Sequence, residues 1–464
     1  MVRIFRHYVP GSLLFLGLVE HLFLILMIYT ALFFRWADVD RLGASLGEHL
    51  DEAIVFAAVF SFMMFSLGLY NKVYSGKLIT VLTRLIVSFL FGAMALALLF
   101  YIFPTIAIWR SALAIAVALG FFGILIIRVI YLRVADLQAF KRRILVLGVG
   151  KKAARILALE REGAARNFVC VGFVPMSDVD PRVGDGQNIW GNMSLPELAQ
   201  EQAVEEIVVA VEERRGGTPV NALLACKLAG IMVTDYSTFW ERETGKVDLD
   251  TLHPSWMIFS DGFVSGPTQS AIKRMLDVIS AIALLIITLP IVCLTAVAVR
   301  LESPGGVLYR QERVGMNGRS FMLLKFRSMR ADAEMDGVPQ WAQVNDQRVT
   351  RVGAFIRKVR IDEIPQIVNV LKGDMSFIGP RPERPFFVEE LRHVIPYYAE
   401  RHRVKPGISG WAQLNYPYGA SIEDSKEKFQ YDLYYIKNYS LFLDLIVLIQ
   451  TVRVIVWPRA HGVR

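Results

Sequence analysis

The chain has 464 residues, 54% of them apolar, and 51 Lys and Arg against 43 Asp and Glu give a formal net charge of +8. It is too long and too apolar for one soluble domain. Cys170, Cys226 and Cys293 are too widely spaced for a disulfide or metal pattern, and no nucleic-acid motif accompanies the positive charge, which suits an anionic membrane surface and anionic substrates instead.

Gly11–Phe34, Ala53–Leu69, Leu78–Phe103 and Thr105–Ile127 are four apolar runs of spanning length, predicting a four-helix transmembrane bundle over residues 1–136. Glu20, Arg84 and Arg110 are the charges within these runs, and they are expected at or close to the membrane interface. The first run is about twice the length of a signal-peptide core, so no cleavable signal is expected. Arg3 and Arg6, Lys72 and Lys77, and Lys141 to Arg143 flank the runs on one side, while the loop Arg35–Glu52 holds two arginines among five acids. Positive-inside reasoning puts the N-terminus, the second loop and everything after Leu132 in the cytoplasm.

From Arg143 the chain reads as strand, glycine turn and helix, with further strands at Phe168–Val174, Glu206–Val211 and Ile231–Val233 and a helix over Pro219–Ala229. The alternation predicts a small doubly wound, Rossmann-like α/β domain over 137–267. Gly148-x-Gly150-x-x-Ala153 invites a dinucleotide site, with Lys151 and Lys152 near a phosphate. The second strand ends in Gly172-Phe173-Val174-Pro175, however, with no acid to hold a ribose hydroxyl. A structural or regulatory domain is therefore expected.

Val278–Val299 is a fifth apolar run, with Pro290 at its middle. If it crossed the bilayer, the rest of the chain would leave the cytoplasm. A re-entrant helix-break-helix near 274–300, broken at Pro290, would keep Lys273, Arg274, Asp277 and Arg300 at one interface. Lys273 and Arg274 are expected there as headgroup anchors. Ser440–Trp457 is apolar but carries Asp444, Gln450 and Arg453, which suits a helix lying in the interface.

The chemistry concentrates at Asp362-Glu363, which follows Arg357, Lys358 and Arg360. Ile364, Ile367, Val368 and Leu371 form an apolar helical stripe, with Asp362 as the expected N-cap and Pro365 in the first turn. Cations around a helix start attract phosphate. A carboxylate there can attack a phosphoryl group while its neighbour holds Mg²⁺, and the nearby cations favour ionised Asp362. Gly379-Pro380-Arg381-Pro382 is a rigid turn, suited either to grip phosphate through Arg381 or to serve as structure. Lys325 and Arg327 fall in or beside a probable strand, Ser320–Phe326, on one face. Asp374 suits a network carboxylate or a turn, and Arg401, Arg403 and Lys405 form a basic rim. Trp411 and Tyr416 are more commonly core or interfacial than base-stacking. His253, His393 and His402 have no metal-ligand spacing.

From Lys273-Arg274-x-x-Asp277 onward the motif order resembles the bacterial sugar transferase family, the monotopic phosphoglycosyl transferases. It runs through Gln311-Glu-Arg313-Val-Gly315, Lys325-Phe326-Arg327-Ser328-Met329 and Arg360-Ile-Asp362-Glu363-Ile-Pro365-Gln366. It continues through Asn369 to Pro382 and Lys405-Pro406-Gly407-Ile-Ser409-Gly410-Trp411-Ala412-Gln413. Ile408, where members often have Thr, is a local departure. The upstream bundle and α/β domain match the large, polyprenyl glycosylphosphotransferase branch.

The resemblance implies a monotopic α/β catalytic domain over 268–464 that transfers a sugar-1-phosphate from a UDP-sugar to undecaprenyl phosphate, releasing UMP. Asp362 would be the nucleophile of a ping-pong reaction and Glu363 the Mg²⁺ ligand. Lys325, Arg327, Arg357, Arg360, Arg381, Arg401 and Lys405 are the candidate substrate-binding residues. It further implies a multi-pass protein of the bacterial inner membrane, in contact with lipid, starting a lipid-linked glycan such as exopolysaccharide. The bundle and α/β domain offer surfaces for a homodimer. A non-catalytic membrane scaffold or nucleotide sensor is the alternative from another class. A nicotinamide-dependent epimerase is disfavoured, because the α/β domain has no Tyr-x-x-x-Lys pair. The motifs do not encode the sugar.

Overall fold

The computed structural model describes residues 2–36, 49–70, 78–135, 141–161, 168–176, 193–212, 219–252, 254–263, 266–330, 348–416, 419 and 421–456. Lys72, Lys77, His253 and most of the acidic first loop lie outside the described residues. Among the described residues this is a mostly helical membrane protein with small sheets. It divides into two compact units between Thr244 and Gly245, with residues 3–7 belonging to the second.

In the first unit, helices Gly11–Trp36, Leu50–Ser66, Leu78–Ile102 and Arg110–Ala135 bury a shared core that includes Leu24, Phe56, Phe60, Phe89 and Ile124. The helices starting at Gly11, Leu78 and Arg110 are long and apolar enough to cross a membrane, whereas Leu50–Ser66 has only 17 residues. The run expected from Thr105 opens instead with a 3-10 turn, Pro104–Ile106, and its helix begins at Arg110.

That helix also continues past Ile127, because Arg128 is buried and paired within the bundle. Glu20 is fully buried, and its carboxylate pairs with Arg128 at 2.8 Å through both Nε and Nη2. The Tyr70 hydroxyl donates to the same carboxylate, and Arg128 Nη1 donates to the Leu69 carbonyl at 2.9 Å. Arg84 is likewise buried and donates to the Gly68 carbonyl at 2.8 Å. Glu20 and Arg84, expected at or close to the membrane interface, are thus met by protein groups inside the bundle. An ion pair satisfied inside the bundle is tolerated where a lone charge would not be.

The α/β part carries a four-stranded parallel sheet in the order Phe168–Val174, Arg142–Leu147, Glu206–Val209, Met232–Asp235. Helices Lys151–Arg161 and Tyr236–Thr244 cover one face through Ala153, Ile156, Tyr236 and Phe239. Leu195–Glu201 and Val220–Leu228 cover the other through Leu195, Leu198 and Cys226. Burial on both faces explains why Ile144 to Leu147 is apolar without alternation.

Gly148 has φ +112, and a Cβ there would lie 2.8 Å from the Ala210 carbonyl oxygen, so the turn requires glycine. Glu212 Oε1 accepts the Lys152 backbone N–H at 3.0 Å, capping the helix start, while Lys152 Nζ donates to the Val211 carbonyl at 3.0 Å. The turn is used for close strand–helix packing, and Lys152 is turned inward, away from the phosphate contact considered for it.

The second unit is organised on helix Pro267–Glu302, which has 36 residues and runs through Pro290 without a break in the element. A proline removes one helical bond, and in apolar surroundings the remaining bonds keep the turn. Near its start, Lys273 Nζ pairs with Asp444 Oδ2 at 2.6 Å and donates to the Ile378 carbonyl at 3.1 Å. Arg274 donates to the Val370 and Leu371 carbonyls at 2.5 and 2.7 Å, and Asp277 accepts from Ser376 Oγ at 3.1 Å. Lys273 and Arg274, expected as headgroup anchors, thus make internal contacts, Lys273 an ion pair with Asp444 and Arg274 two bonds to backbone carbonyls. At the far end, Arg327 Nη2 donates to the Ser303 carbonyl at 2.7 Å. Between the two ties, Ile286, Ile287 and Leu294 remain 68–71% exposed.

The rest of this unit combines helices with small sheets. Its described sheets are an antiparallel pair, Leu308–Val314 with Ser320–Phe326, and a parallel pair, Ser376–Ile378 with Gly407–Ser409. Helix Leu441–Val456 turns Asp444 and Arg453 toward protein, Arg453 donating to the Leu414 carbonyl at 3.1 Å. Leu445, Leu448 and Val452 are left exposed.

Replacing Glu20 by Leu should strand Arg128 in the bundle and cost on the order of 3–5 kcal/mol, while Glu20→Leu with Arg128→Leu should recover most of it. Thermal unfolding in detergent reads the difference, and unchanged melting of the single variant would contradict the pairing.

Candidate active site

The site is built where one short helix ends and another begins. Helix Arg351–Lys358 is started by Thr350, whose hydroxyl accepts the Gly353 N–H at 2.9 Å. After Val359, Arg360 adopts a left-handed conformation (φ 61, ψ 18), rare for a residue with a side chain, and reverses the chain. Ile361–Glu363 then forms a 3-10 turn, and helix Gln366–Lys372 follows. Asp362 therefore sits inside a 3-10 turn and is not the N-cap of an α-helix, because the reversal at Arg360 starts the turn early.

Glu363 is the electrostatic centre. Its Oε1 lies 3.1 Å from Arg381 Nη2, 3.4 Å from Lys325 Nζ and 3.6 Å from Arg360 Nη1. Burial alone would raise this carboxyl, but Arg381, Lys325 and Arg360 outweigh it and hold it well below the usual carboxylate range. Burial pushes the Lys325 ammonium down, partly offset by Glu363.

Asp362 differs from its neighbour. Only 8% of it is exposed, and its Oδ1 is buried without a hydrogen-bond partner. Burial, then the charge of Glu363, push its carboxyl upward, and Lys325, Arg360 and Arg381 offset only part of that. The expected ring of Arg357, Lys358 and Arg360 is corrected to Lys325, Arg360 and Arg381. Arg357 is half-buried and Lys358 exposed at the end of the preceding helix, and the main influences on Asp362 are burial, Glu363, Lys325, Arg360 and Arg381 instead.

Two structural devices carry the cations to the carboxylate. Asn369, 1% exposed, accepts the Leu324 N–H at 3.0 Å and donates to the Met322 carbonyl at 2.8 Å. This pins the helix after the dyad to the strand that presents Lys325. Asn369 belongs to a quoted motif, but its role was invisible in sequence because its partners are backbone groups.

The second device is the turn Gly379 to Pro382. Strands Ser376–Ile378 and Gly407–Ser409 approach so closely that a Cβ on Gly407 would lie 2.1 Å from the Gly379 nitrogen. The Arg381 carbonyl accepts from Arg401 Nη2 at 2.8 Å, and Arg401 pairs with buried Asp432 at 3.1 Å.

Arg401 is thus spent on holding the turn, and Arg327 on the carbonyls at the end of the long helix, so neither is free to bind phosphate as expected. Lys405 sits near Arg274, whose charge adds to burial in lowering its ammonium. Trp411 is buried, donates to the Gly245 carbonyl at 2.8 Å and stacks on Tyr434, so it is a core residue. The Tyr416 hydroxyl donates to Asp424 at 2.9 Å, His393 meets Glu389, and loss of solvent drives half-buried His402 down to about 4. Among the described residues no three His, Cys, Asp or Glu side chains converge on a point that could hold a metal.

The model of the bacterial sugar transferase family matches residues 268–458. The chain is 41% identical over 282 residues to the UDP-N-acetylgalactosamine-undecaprenyl-phosphate N-acetylgalactosaminephosphotransferase of Aeromonas hydrophila, covering 61% of this chain and 66% of that one. It is 36% identical over 280 residues to the UDP-glucose:undecaprenyl-phosphate glucose-1-phosphate transferase of Escherichia coli (59% and 60%). An enzyme of the same printed name from Caulobacter vibrioides is 42% identical over 182 residues, 39% of this chain and 68% of that one. The chain thus spans 66% and 60% of the length of the first two relatives.

Asn369→Leu should strand the Leu324 N–H and Met322 carbonyl at about 1–3 kcal/mol each. A melting temperature in detergent equal to that of the parent would show that the pin is dispensable.

Proposed function

The chain belongs to the bacterial sugar transferase family, and from that premise we propose that it transfers a sugar-1-phosphate from a UDP-sugar to undecaprenyl phosphate. The product would start a lipid-linked glycan such as exopolysaccharide at the bacterial inner membrane, with the catalytic unit facing the cytoplasm. The observation that carries the reading is the contrast within the dyad. Glu363 is clamped by three cations, while the neighbouring Asp362 keeps a buried carboxylate oxygen free of any hydrogen bond.

In the first half-reaction an Asp362 carboxylate oxygen attacks the phosphorus that bears the sugar. The bond from that phosphorus to the bridging oxygen breaks, and UMP leaves with the electron pair. In the second, an oxygen of undecaprenyl phosphate attacks the same phosphorus and returns Asp362 as a carboxylate. Arg381, Lys325 and Arg360 supply positive charge where phosphate oxygens must sit, so the donor diphosphate exchanges protein–carboxylate pairs for protein–phosphate pairs. A cation entering with the donor would also favour ionised Asp362 against the cost of its burial.

Mg²⁺ fits the donor set as a hard cation held by one or two carboxylates and substrate phosphates. Glu363, with Asp362 beside it, would hold it, and when bound it supplies neutralisation of the diphosphate charge. Arg381 and Lys325 do the remaining positioning.

The long helix Pro267–Glu302 is proposed to enter and leave the membrane on one side by bending at Pro290, where the proline removes a helical bond while the helical element continues. Its start is tied through Lys273 to Asp444 and its end through Arg327 to Ser303, with exposed apolar residues between. Both ties belong to the unit that carries the dyad, which supports a re-entrant path and a donor site at the cytoplasmic interface.

Asp362→Asn should abolish UMP release from UDP-glucose and UDP-N-acetylgalactosamine in the presence of undecaprenyl phosphate, with melting unchanged; full activity would refute the mechanism. Glu363→Gln should weaken the dependence of rate on Mg²⁺, and an unchanged titration would remove it as the ligand. Single cysteines just before Arg274 and just after Arg300 should both label from the cytoplasmic side, whereas opposite-side labelling would refute the re-entrant path.

A further inference from the structure

The segment that presents Arg381 is held at successive carbonyls. The Pro380 carbonyl accepts the Gly407 N–H at 2.9 Å, and the Glu383 carbonyl accepts the Val314 N–H at 2.9 Å. Between them the Arg381 carbonyl accepts from Arg401 at 2.8 Å, and the Pro382 carbonyl accepts from Arg313 Nη1 at 3.0 Å. Pro380 and Pro382 add fixed φ angles on either side of Arg381. The group this backbone presents outward is the Arg381 guanidinium, a third exposed and 3.1 Å from Glu363.

Arg313 reaches the Pro382 carbonyl from strand Leu308–Val314. In the antiparallel register Tyr309 stands opposite Lys325, so alternation puts Tyr309, Gln311 and Arg313 on the sheet face that carries Lys325. Gln311 Oε1 accepts from Arg313 Nε at 3.0 Å and Nη2 at 2.5 Å, while Gln311 Nε2 donates to the Tyr309 hydroxyl at 3.0 Å. A fork from its own strand thus orients the guanidinium and leaves Nη1 for Pro382, 3.5 Å from Glu383 Oε2. Burial pushes this guanidinium down, Glu383 offsets part of that, and Arg381 and Arg384 add to the burial effect. A desolvated cation beside two like charges is a costly way to meet one carbonyl; the neutral Asn369 amide does the same for Met322. The planar fork adds something an amide would not, since it joins the Lys325 hairpin and the Arg381 turn through one rigid group.

We propose that Arg313 is a positioning residue: it holds the Arg381 turn at a fixed distance from the hairpin that carries Lys325, so that the Arg381 guanidinium is preset to grip the donor diphosphate. The proposal rests on the reading of the dyad as the donor site. Arg313 acts through Arg381, since its own bonds go to Gln311, Pro382 and Glu383. A guanidinium fixed before the donor arrives needs no reordering when it meets phosphate oxygens, which favours both binding and the developing charge.

Arg313→Lys keeps the charge but loses the fork that joins Gln311 to Pro382, and Arg313→Met keeps an unbranched stem without charge. For the full-length protein in detergent, calorimetric titration with UDP and Mg²⁺ reads nucleotide affinity. UMP release from UDP-glucose and UDP-N-acetylgalactosamine with undecaprenyl phosphate reads KM and kcat. Both variants should bind UDP about tenfold more weakly and show a raised KM. In an Arg381→Lys background, Arg313→Lys should weaken UDP binding by less than about twofold, because the cation it positions has already been changed. Parent-like UDP affinity and KM in Arg313→Lys would overturn the role. So would an equal loss in the two backgrounds, the result expected if Arg313 only supports the fold. A parent protein that neither binds UDP nor releases UMP would overturn the donor-site reading as well, whereas an active parent beside an unaffected Arg313→Lys would sink the Arg313 role alone.

Discussion

The buried negative charge of Glu363 is the constraint around which the catalytic unit is arranged. A carboxylate this enclosed is stable only if opposite charge reaches it, and the chain brings that charge from three segments: Lys325 on a strand, Arg360 at a left-handed reversal and Arg381 on a glycine-framed turn. Two of these cations are themselves held from behind. Asn369 ties the Lys325 strand to the helix after the dyad, and Arg401, balanced by Asp432, grips the Arg381 backbone. Under the proposed reaction stability and function would be coupled here, because the cations that make Glu363 tolerable would also meet the donor diphosphate.

The membrane helix enters the same arrangement from the other side. Asp277 meets Ser376, and Arg274 meets the carbonyls of Val370 and Leu371 at the end of the helix that follows the dyad. Ala281 packs with Leu323, Ile367 and Val370, and Val299 with Phe326 and Ile356. The strand and helices that carry the site are therefore also the floor on which the apolar helix rests. This gives a physical reason why a reaction between a soluble nucleotide and a lipid phosphate would keep a constant depth.

Much of this was legible from composition and periodicity. The strand Ser320–Phe326, the parallel strands of the α/β part and the apolar runs follow from local pattern, which backbone hydrogen bonding and burial largely decide. The Asp362-Glu363 pair was also visible, because two adjacent acids after three cations are unusual. Long-range partners were not visible. Arg327 and Arg401 look like phosphate ligands, and Lys273 and Arg274 like headgroup anchors, until Asp444, Asp432 and backbone carbonyls are seen to meet them. Hydropathy ended a helix at Ile127 because it counts Arg128 as a cost, blind to Glu20 more than a hundred residues earlier. The N-cap expected of Asp362 failed for a similar reason, since nothing local announces a left-handed arginine at 360.

The central claim is covalent: the partnerless carboxylate of Asp362 takes up the sugar phosphate before the lipid does. The direct test is mass spectrometry of the protein incubated with Mg²⁺ and UDP-glucose or UDP-N-acetylgalactosamine in the absence of undecaprenyl phosphate, followed by peptide mapping. The account predicts a hexose-phosphate or N-acetylhexosamine-phosphate adduct confined to the peptide containing Asp362, lost when undecaprenyl phosphate is added. Turnover with the acceptor present but no adduct in its absence, or an adduct on any other residue, would contradict it.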